Sequence, residues 1–417
     1  VRNPDLIVIG AGAAGLMAAG TAAAGGARVR VLEKMPRPGA KLAITGKGRC
    51  NLTNIEPRGA FDSHFGDNGS WLKPAFDAYF SDALMAFMEA EGVALITERG
   101  GRVFPANGRA PDVVKALVSW TRRLGVEVTL RQSVERLRIL ADGGIDGVET
   151  AAGSLACGAV VLACGGASYP GTGSTGDGYR LAAEVGHAIV PPRPALVPLV
   201  TRPAPARDLD GLGLKNVRVL LLVDGQPAGE GFGEMGFSTS GVNGPVVLSL
   251  SGKAVDALAA GREVKLRVDL KPALGDAKLR ARLDRDLAAR ASEPMRSILR
   301  GLLPKPLVAA CLDGAGIRGM LPGSRMTAAQ REALIGWLKG MEMTISGHRG
   351  MSEAIVTAGG VALDGVCPAT MESRQVPGLY FAGEILDVHA DTGGYNLQAA
   401  FSTGVLAGRS ASGGRRG

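Results

Sequence analysis

The chain has 417 residues, 46% hydrophobic and 21% charged, with a formal net charge of +8; at roughly 150 residues per domain this suits two or three domains with ample core. No apolar run approaches the roughly 18 residues of a membrane span, and the start shows neither a basic n-region nor an apolar h-region, so the expectation is a cytoplasmic protein with no membrane partner. Five scattered cysteines without a Cys-x-x-Cys pair argue against structural zinc or a redox disulfide, so no metal is expected, and Lys and Arg dispersed along the chain argue for non-specific attraction rather than a nucleic-acid partner.

The first predicted element is a strand from Asp5 to Ile9. It meets Gly10-Ala11-Gly12-Ala13-Ala14-Gly15, then an Ala-rich helical run to Ala24, then a second strand from Ala27 that ends on Glu33. Strand, Gly-x-Gly-x-x-Gly, helix, strand and acid in this register outline a dinucleotide site. Gly10 permits the tight turn, Gly12 admits a pyrophosphate to the backbone, Gly15 lets helix and strand pack, and the helix N-terminus offers free N–H groups. Glu33 accepts from adenosine ribose hydroxyls and repels a 2'-phosphate, which points to FAD or NAD rather than NADP.

From Lys34 to Asn54 runs a long loop rich in glycine and cations, of the kind that lines ligands. Helical spacing follows over Trp71 to Gly92 and Pro111 to Leu124, then strands over Val126 to Leu130, Val134 to Leu140 and Gly147 to Thr150. A buried strand at Ala159 to Ala163 ends in Cys164-Gly165-Gly166, where small residues let backbone approach a ligand. Gly171, Gly173 and Gly176 formally repeat the fingerprint, but Tyr169-Pro170 and no strand precedes them, so a turn facing a bound ring is the better reading.

Pro191-Pro192-Arg193-Pro194 marks a boundary. Beyond it come short strand candidates over Val197 to Val200, Val217 to Val223, Gly233 to Phe237, Val246 to Leu250 and Val264 to Leu270, which suggest a barrel or small sheet. Helical patterns follow over Leu274 to Leu303 and Ala328 to Leu338. The predicted division is a first part of the dinucleotide domain over 1–190, an inserted barrel-like and helical domain over 191–344, a second part over 345–408, and a disordered basic tail over 409–417. In the second part a strand again ends in Gly383-Glu384, and Gly393-Gly394 open a helix whose N-terminus can stabilise negative charge.

The N-terminal fingerprint, the Gly-Lys-Gly-Arg-Cys-Asn-Leu-Thr-Asn loop ending at Asn54, the Gly-Gly-Ala-Ser-Tyr-Pro-Gly-Thr-Gly-Ser-Thr-Gly-Asp-Gly stretch, and Gly-Leu-Tyr-Phe-Ala-Gly-Glu with Gly-Gly-Tyr-Asn-Leu-Gln resemble a family of bacterial NAD(P)/FAD-dependent oxidoreductase flavoproteins. Its members carry names such as bile-acid dehydroxylation flavoprotein and aminoacetone oxidase. The resemblance spans nearly the whole chain. It implies an α/β fold with an FAD-binding Rossmann-like domain of the glutathione-reductase and succinate-dehydrogenase flavoprotein type, interrupted by an inserted domain that caps the flavin. More distantly the motifs are similar to fumarate reductase flavoprotein subunits, but His389-Ala390-Asp391-Thr392 holds no Arg where that group binds its dicarboxylate.

By resemblance and chemistry together, Gly10, Gly12, Ala14 and Gly15 hold the FAD pyrophosphate and Glu33 the adenosine ribose. Lys34, Lys41, Arg49, Cys50 and Asn51 follow the cofactor toward its ribityl chain and ring, and the Val134 backbone meets the adenine. Gly383 and Glu384 reach the ribityl or phosphate groups, with Tyr395, Asn396 and Leu397 at the pyrimidine edge. Because the flavin carries the redox chemistry, the candidate proton-transfer groups are the few beside these motifs: Tyr169, His389 and Asp391. The expectation is hydride transfer between flavin N5 and a small or steroid-like substrate, with NAD(P)H as a transient reductant. The alternatives are an oxygen-using amine oxidase and a non-catalytic flavin-binding regulatory or RNA-associated protein, the last to be marked by a concentrated basic face on the inserted domain.

Overall fold

A computed structural model describes residues 3–413. The chain divides into two compact units, one made of the chain up to Pro194 together with that from Met351 onward, the other of Ala195–Gly350.

The first unit is built on a five-stranded parallel sheet: β1 (Leu6–Ile9), β2 (Val29–Glu33), β3 (Glu127–Leu130), β4 (Ala159–Leu162) and β5 (Leu379–Phe381), in the spatial order β5-β4-β1-β2-β3. β1, β4 and β5 are buried along their whole length, and they read as unbroken apolar runs because a covered parallel sheet has no solvent face. Register is set by Leu6 opposite both Val29 and Ala159. The Ala13–Ala24 helix packs against the C-terminal helix Tyr395–Gly413. That contact is close, since a Cβ on Gly404 would lie 2.5 Å from the Ala14 carbonyl oxygen, and one on Gly408 2.4 Å from that of Ala18. The helix reaches Gly413, five residues into the tail expected to be disordered; residues 414–417 lie outside the described residues.

The helix expected over Trp71 to Gly92 is interrupted. Lys73–Ala78 and Ser81–Ala90 are separate helices, and Tyr79 between them is extended at φ −159° and ψ 110°. The break lets Phe76 and Phe80 both close on Phe61, at ring-centroid distances of 5.3 and 5.0 Å, with 5.8 Å between the rings of Phe76 and Phe80.

The second unit carries a closed antiparallel barrel of six strands: Leu199–Arg202, Gly213–Val223, Gln226–Ser238, Gly241–Asn243, Val264–Asp269 and Met341–His348. Closure leaves no open sheet edge. The strand expected over Val246 to Leu250 is instead the start of the helix Pro245–Ala259. Gly244 at φ +97° turns the chain, Pro245 is pre-set for a first helical turn, and Val246, Leu250, Ala254 and Ala257 recur at helical spacing and are buried. A local run of β-branched residues was outweighed by that longer period. Helices Asp276–Ala289, Met295–Ile298, Lys305–Gly314 and Ala328–Lys339 also belong to this unit; the last opens with a capping box between Thr327 and Gln330.

Candidate functional site

The site lies at the carboxyl ends of β1, β2, β4 and β5, where ligands of open parallel sheets bind. Gly10 leaves β1 at φ +102°, and a Cβ there would meet the Ala163 carbonyl oxygen at 2.5 Å. Gly15 is closer still to Gly10. Gly12, between them, has nothing within 4 Å of where its Cβ would stand, and it begins the Ala13–Ala24 helix without a side-chain cap. This open cradle at an uncapped helix N-terminus fits a pyrophosphate. Glu33 closes β2 and accepts from the Ala11 N–H at 2.8 Å and the Met35 N–H at 2.8 Å. Each carboxylate oxygen keeps capacity for a ribose hydroxyl. Val134 begins the Val134–Ile139 strand opposite Thr150, and Ala14 is buried in the first helical turn.

The cations of the long loop divide. Lys41 donates to Ser168 Oγ at 2.6 Å and to both Glu384 oxygens at 2.8 and 3.1 Å, and Glu384 Oε1 also accepts from the Thr357 N–H at 2.8 Å. Four separate chain segments therefore meet at one partly buried carboxylate. Gly383 beside it sits at φ +78°, its Cβ direction 2.8 Å from Ala14 Cβ, so the second half of the motif set rests on the first. Lys34 instead pairs with Asp177 at 2.6 Å and with Thr175, and Arg49 pairs with Glu98 while lying 4.4 Å over the Phe104 ring. Cys50 is fully buried, and burial pushes its thiol up to about 12, so it is not a reactive thiolate at neutral pH.

Beyond Cys50 the loop is brought to the C-terminal motif. Asn54 donates to the Gly393 carbonyl at 3.2 Å, Thr53 donates to Gln398 at 2.7 Å, and a Cβ on Gly394 would meet the Thr53 carbonyl oxygen at 2.4 Å. The side-chain oxygen of Asn51 is buried and has no partner in the protein. A buried polar atom is normally paired, so this one suits a donor supplied by a cofactor. Asn396 folds the turn before the helix by bonding both N–H and carbonyl of Ala390, while Leu397 packs at the edge of the core.

One cluster here was not read from the sequence. His64 Nε2 meets Glu56 at 2.8 Å and its Nδ1 meets Asp391 at 3.2 Å; Tyr395 donates to the same Glu56 oxygen at 2.7 Å and stacks on the imidazole at 3.8 Å between centroids. Asp391 and then Glu56 raise the His64 pKa, which favours imidazolium, and Tyr395 and His64 hold the Glu56 carboxyl below its usual range. No local pattern around His64 marks it; only the fold brings it to Asp391. Of the other two candidates, His389 is half-buried, and Tyr169 sits in the left-handed region at φ +52°, a strained conformation for a bulky residue.

Comparison with known proteins places these features in a family. The model described as the HI0933-like protein Rossmann domain matches residues 4–410. The chain is 36% identical over 409 residues to the 3-dehydro-bile acid delta(4,6)-reductase of Clostridium scindens, covering 97% of this chain and 98% of that protein. It is 31% identical over 405 residues to the ribosomal RNA dihydrouridine synthase of Escherichia coli, covering 96% of each. In fold it is similar to the 3-ketosteroid delta1-dehydrogenase of Sterolibacterium denitrificans, with a TM-score of 0.55 at 13% identity over 99% of this chain and 100% of the other. The chain belongs to the HI0933-like family and is an FAD-dependent oxidoreductase. Among the described residues no helix is long and apolar enough to cross a membrane.

Proposed function

We propose, with that family as premise, that this chain reduces a carbon–carbon double bond conjugated to a ring carbonyl in a small or steroid-like substrate. Bound FAD supplies the hydride at N5, with NAD(P)H as the proposed source of its electrons. The observation that carries the reading is the full-length likeness, at 36% identity, to a protein named as a bile-acid delta(4,6)-reductase. The dihydrouridine synthase likeness points to related chemistry, because uracil also holds its double bond beside a ring carbonyl.

The chain's own groups divide the remaining work. Gly10, Gly12, Ala14 and Gly15 hold the pyrophosphate and Glu33 the ribose; Asn51, Tyr395, Asn396 and Leu397 border the ring. Lys41 neutralises Glu384, so the turn after β5 brings no uncompensated negative charge to the site. Saturating the double bond also consumes a proton, and the His64 imidazolium, held by Asp391 two residues before the Gly393-Gly394 turn, is its proposed reservoir.

Anaerobic titration tests the reading. NADH or NADPH is expected to bleach the flavin, and a 3-keto-4-ene steroid to restore its colour. Bleaching by amines with rapid reoxidation by oxygen would instead identify an amine oxidase, and resistance to every donor would leave the flavin without a catalytic role.

A further inference from the structure

A flavin that takes up two electrons and one proton carries a negative charge on its ring, and the ionisable groups around it either offset that charge or oppose it. Beside the Gly393-Gly394 turn those groups are Glu56, His64, Asp391 and Tyr395, brought together from three chain segments. Each His64 ring nitrogen meets a carboxylate, Nε2 that of Glu56 at 2.8 Å and Nδ1 that of Asp391 at 3.2 Å. The cluster therefore carries one net negative charge with the imidazole protonated and two with it neutral. Asp62, on the same segment as His64, faces Lys73 instead at 4.0 Å, and the Lys41–Glu384 pair is neutral as a whole.

The cluster is tied to the turn through the main chain as well. Asn54 donates to the Gly393 carbonyl at 3.2 Å and accepts from the Glu56 N–H at 3.0 Å. The Asp391 N–H donates to the His64 carbonyl at 3.3 Å, and Asn396 donates to the Asp391 carbonyl at 3.2 Å. A change of charge at His64 is thus held in place relative to the turn. Tyr395 donates to Glu56 at 2.7 Å and keeps its proton, because burial and that carboxylate raise its pKa; Tyr395 and His64 hold Glu56 below the usual carboxylate range. The imidazole, with an ordinary value of about 6.5, is the group of the cluster that titrates nearest neutral pH. His64, Glu56 and Asp391 are all partly exposed, so its proton exchanges with water.

We propose that His64 is a redox-linked proton site, which takes up one proton when the FAD held at this turn is reduced and releases it when the FAD is reoxidised. Two electrons and one proton enter the flavin ring, and a second proton enters the ring nitrogen of His64 that is bare in the neutral imidazole, so that both nitrogens donate to carboxylates. On reoxidation by a carbon–carbon double bond the flavin returns the electron pair with its proton and His64 returns the other proton, so the product gains two hydrogens and no net charge is left behind. The coupling is reciprocal: negative charge on the flavin tightens the proton on His64 by the same factor by which that proton raises the flavin's affinity for electrons. This role deepens that of proton reservoir and rests on the proposed placement of the flavin ring at the Gly393-Gly394 turn; it does not depend on which substrate is reduced.

The test uses the full-length, FAD-loaded protein with no substrate present, reduced anaerobically at an electrode through a viologen mediator. A pH indicator dye in weakly buffered solution counts the protons taken up per two electrons, and the flavin midpoint potential is measured against pH. The near-ultraviolet absorbance of reduced flavin differs between its anionic and neutral forms, which tells a proton on the ring from one on the protein. Wild type is expected to take up two protons per two electrons over a window above pH about 6.5, with the reduced flavin anionic. Across that window its potential falls about twice as steeply with pH as it does above it. His64→Gln is expected to take up one proton throughout, and His389→Gln to match wild type. Asp391→Asn keeps the imidazole but removes a carboxylate that holds its proton, so its two-proton window is expected at lower pH; this shift decides the matter should His64→Gln fail to retain FAD. A single proton in wild type at every pH above 6.5, a second proton located on the flavin, its survival in His64→Gln, its loss in His389→Gln, or an unmoved window in Asp391→Asn would each overturn the proposal. Failure of a 3-keto-4-ene steroid to reoxidise the wild-type flavin would count against the reductase reading and leave this one standing.

Discussion

Glu384 and His64 show how single residues in this site are fixed by partners distant in sequence. Glu384 is bound by Lys41, Ser168 and the Thr357 N–H, and His64 by Glu56 and Asp391. For His64 the consequence is a dependence on pH with a definite sign. Its folded pKa is raised, first by the hydrogen bond to Asp391. The stabilisation is therefore fully present below the unfolded value of about 6.5 and is lost as pH rises through the folded value. The His64→Gln variant is expected to lose about 1 kcal/mol at pH 6, a modest figure because Asp391 is 47% exposed and partly screened. Melting temperatures of the two proteins measured across the pH range check this: the gap should narrow as pH rises past 6.5, and a gap that is constant or widens would show that the imidazolium is not what the cluster stabilises. The placement of Glu33 at the end of β2, beside the Gly10–Gly15 turn, was legible in the sequence because it follows from a local strand-turn-helix-strand register. His64 was not, since its partners depend on a contact across 327 residues that no local spacing encodes.

At the scale of elements, the Tyr395–Gly413 helix links the packing of the first unit to its site. Gly404 and Gly408, one turn apart, place this helix against the carbonyls of Ala14 and Ala18, and Gly383 places the turn after β5 against Ala14 as well. The first turn of the pyrophosphate helix is thus clamped by two segments. Gly404→Val would force these helices apart, at about 1–3 kcal/mol from overpacking, and would carry the displacement into the Gly12 cradle. The expected outcome is a lower melting temperature together with faster loss of FAD on dilution, read from flavin fluorescence; unchanged FAD retention in a destabilised variant would uncouple the packing from the site. Sequence reading worked best where an element's burial imposes its own pattern, as in the wholly apolar β1 and β4. It failed at Val246 to Leu250, where five residues cannot separate a strand from a buried helix, and at Tyr79, where the break is imposed by tertiary packing around Phe61.

For the molecule as a whole, the two units differ in how they close. The first is an open sheet covered by helices, and the second a barrel whose strands satisfy one another all the way round. The inserted unit begins and ends on neighbouring strands: Leu199 lies opposite His348, and the Arg349 N–H donates to the Pro198 carbonyl at 3.0 Å. In the chain flanking that unit, Ile189–Ala195 and Val356–Val361 are paired in a two-stranded sheet. Each unit is therefore crossed by two adjacent strands, a connection that a short turn can replace at small loop-closure cost. The inserted unit also has its own buried core, from Leu199 on the barrel to Leu338 on its last helix. We expect residues 195–350, expressed alone, to unfold cooperatively on heating, with the m-value of a domain of that size. A non-cooperative melt with bound dye that reports exposed apolar surface would show that its core is completed only in the intact chain.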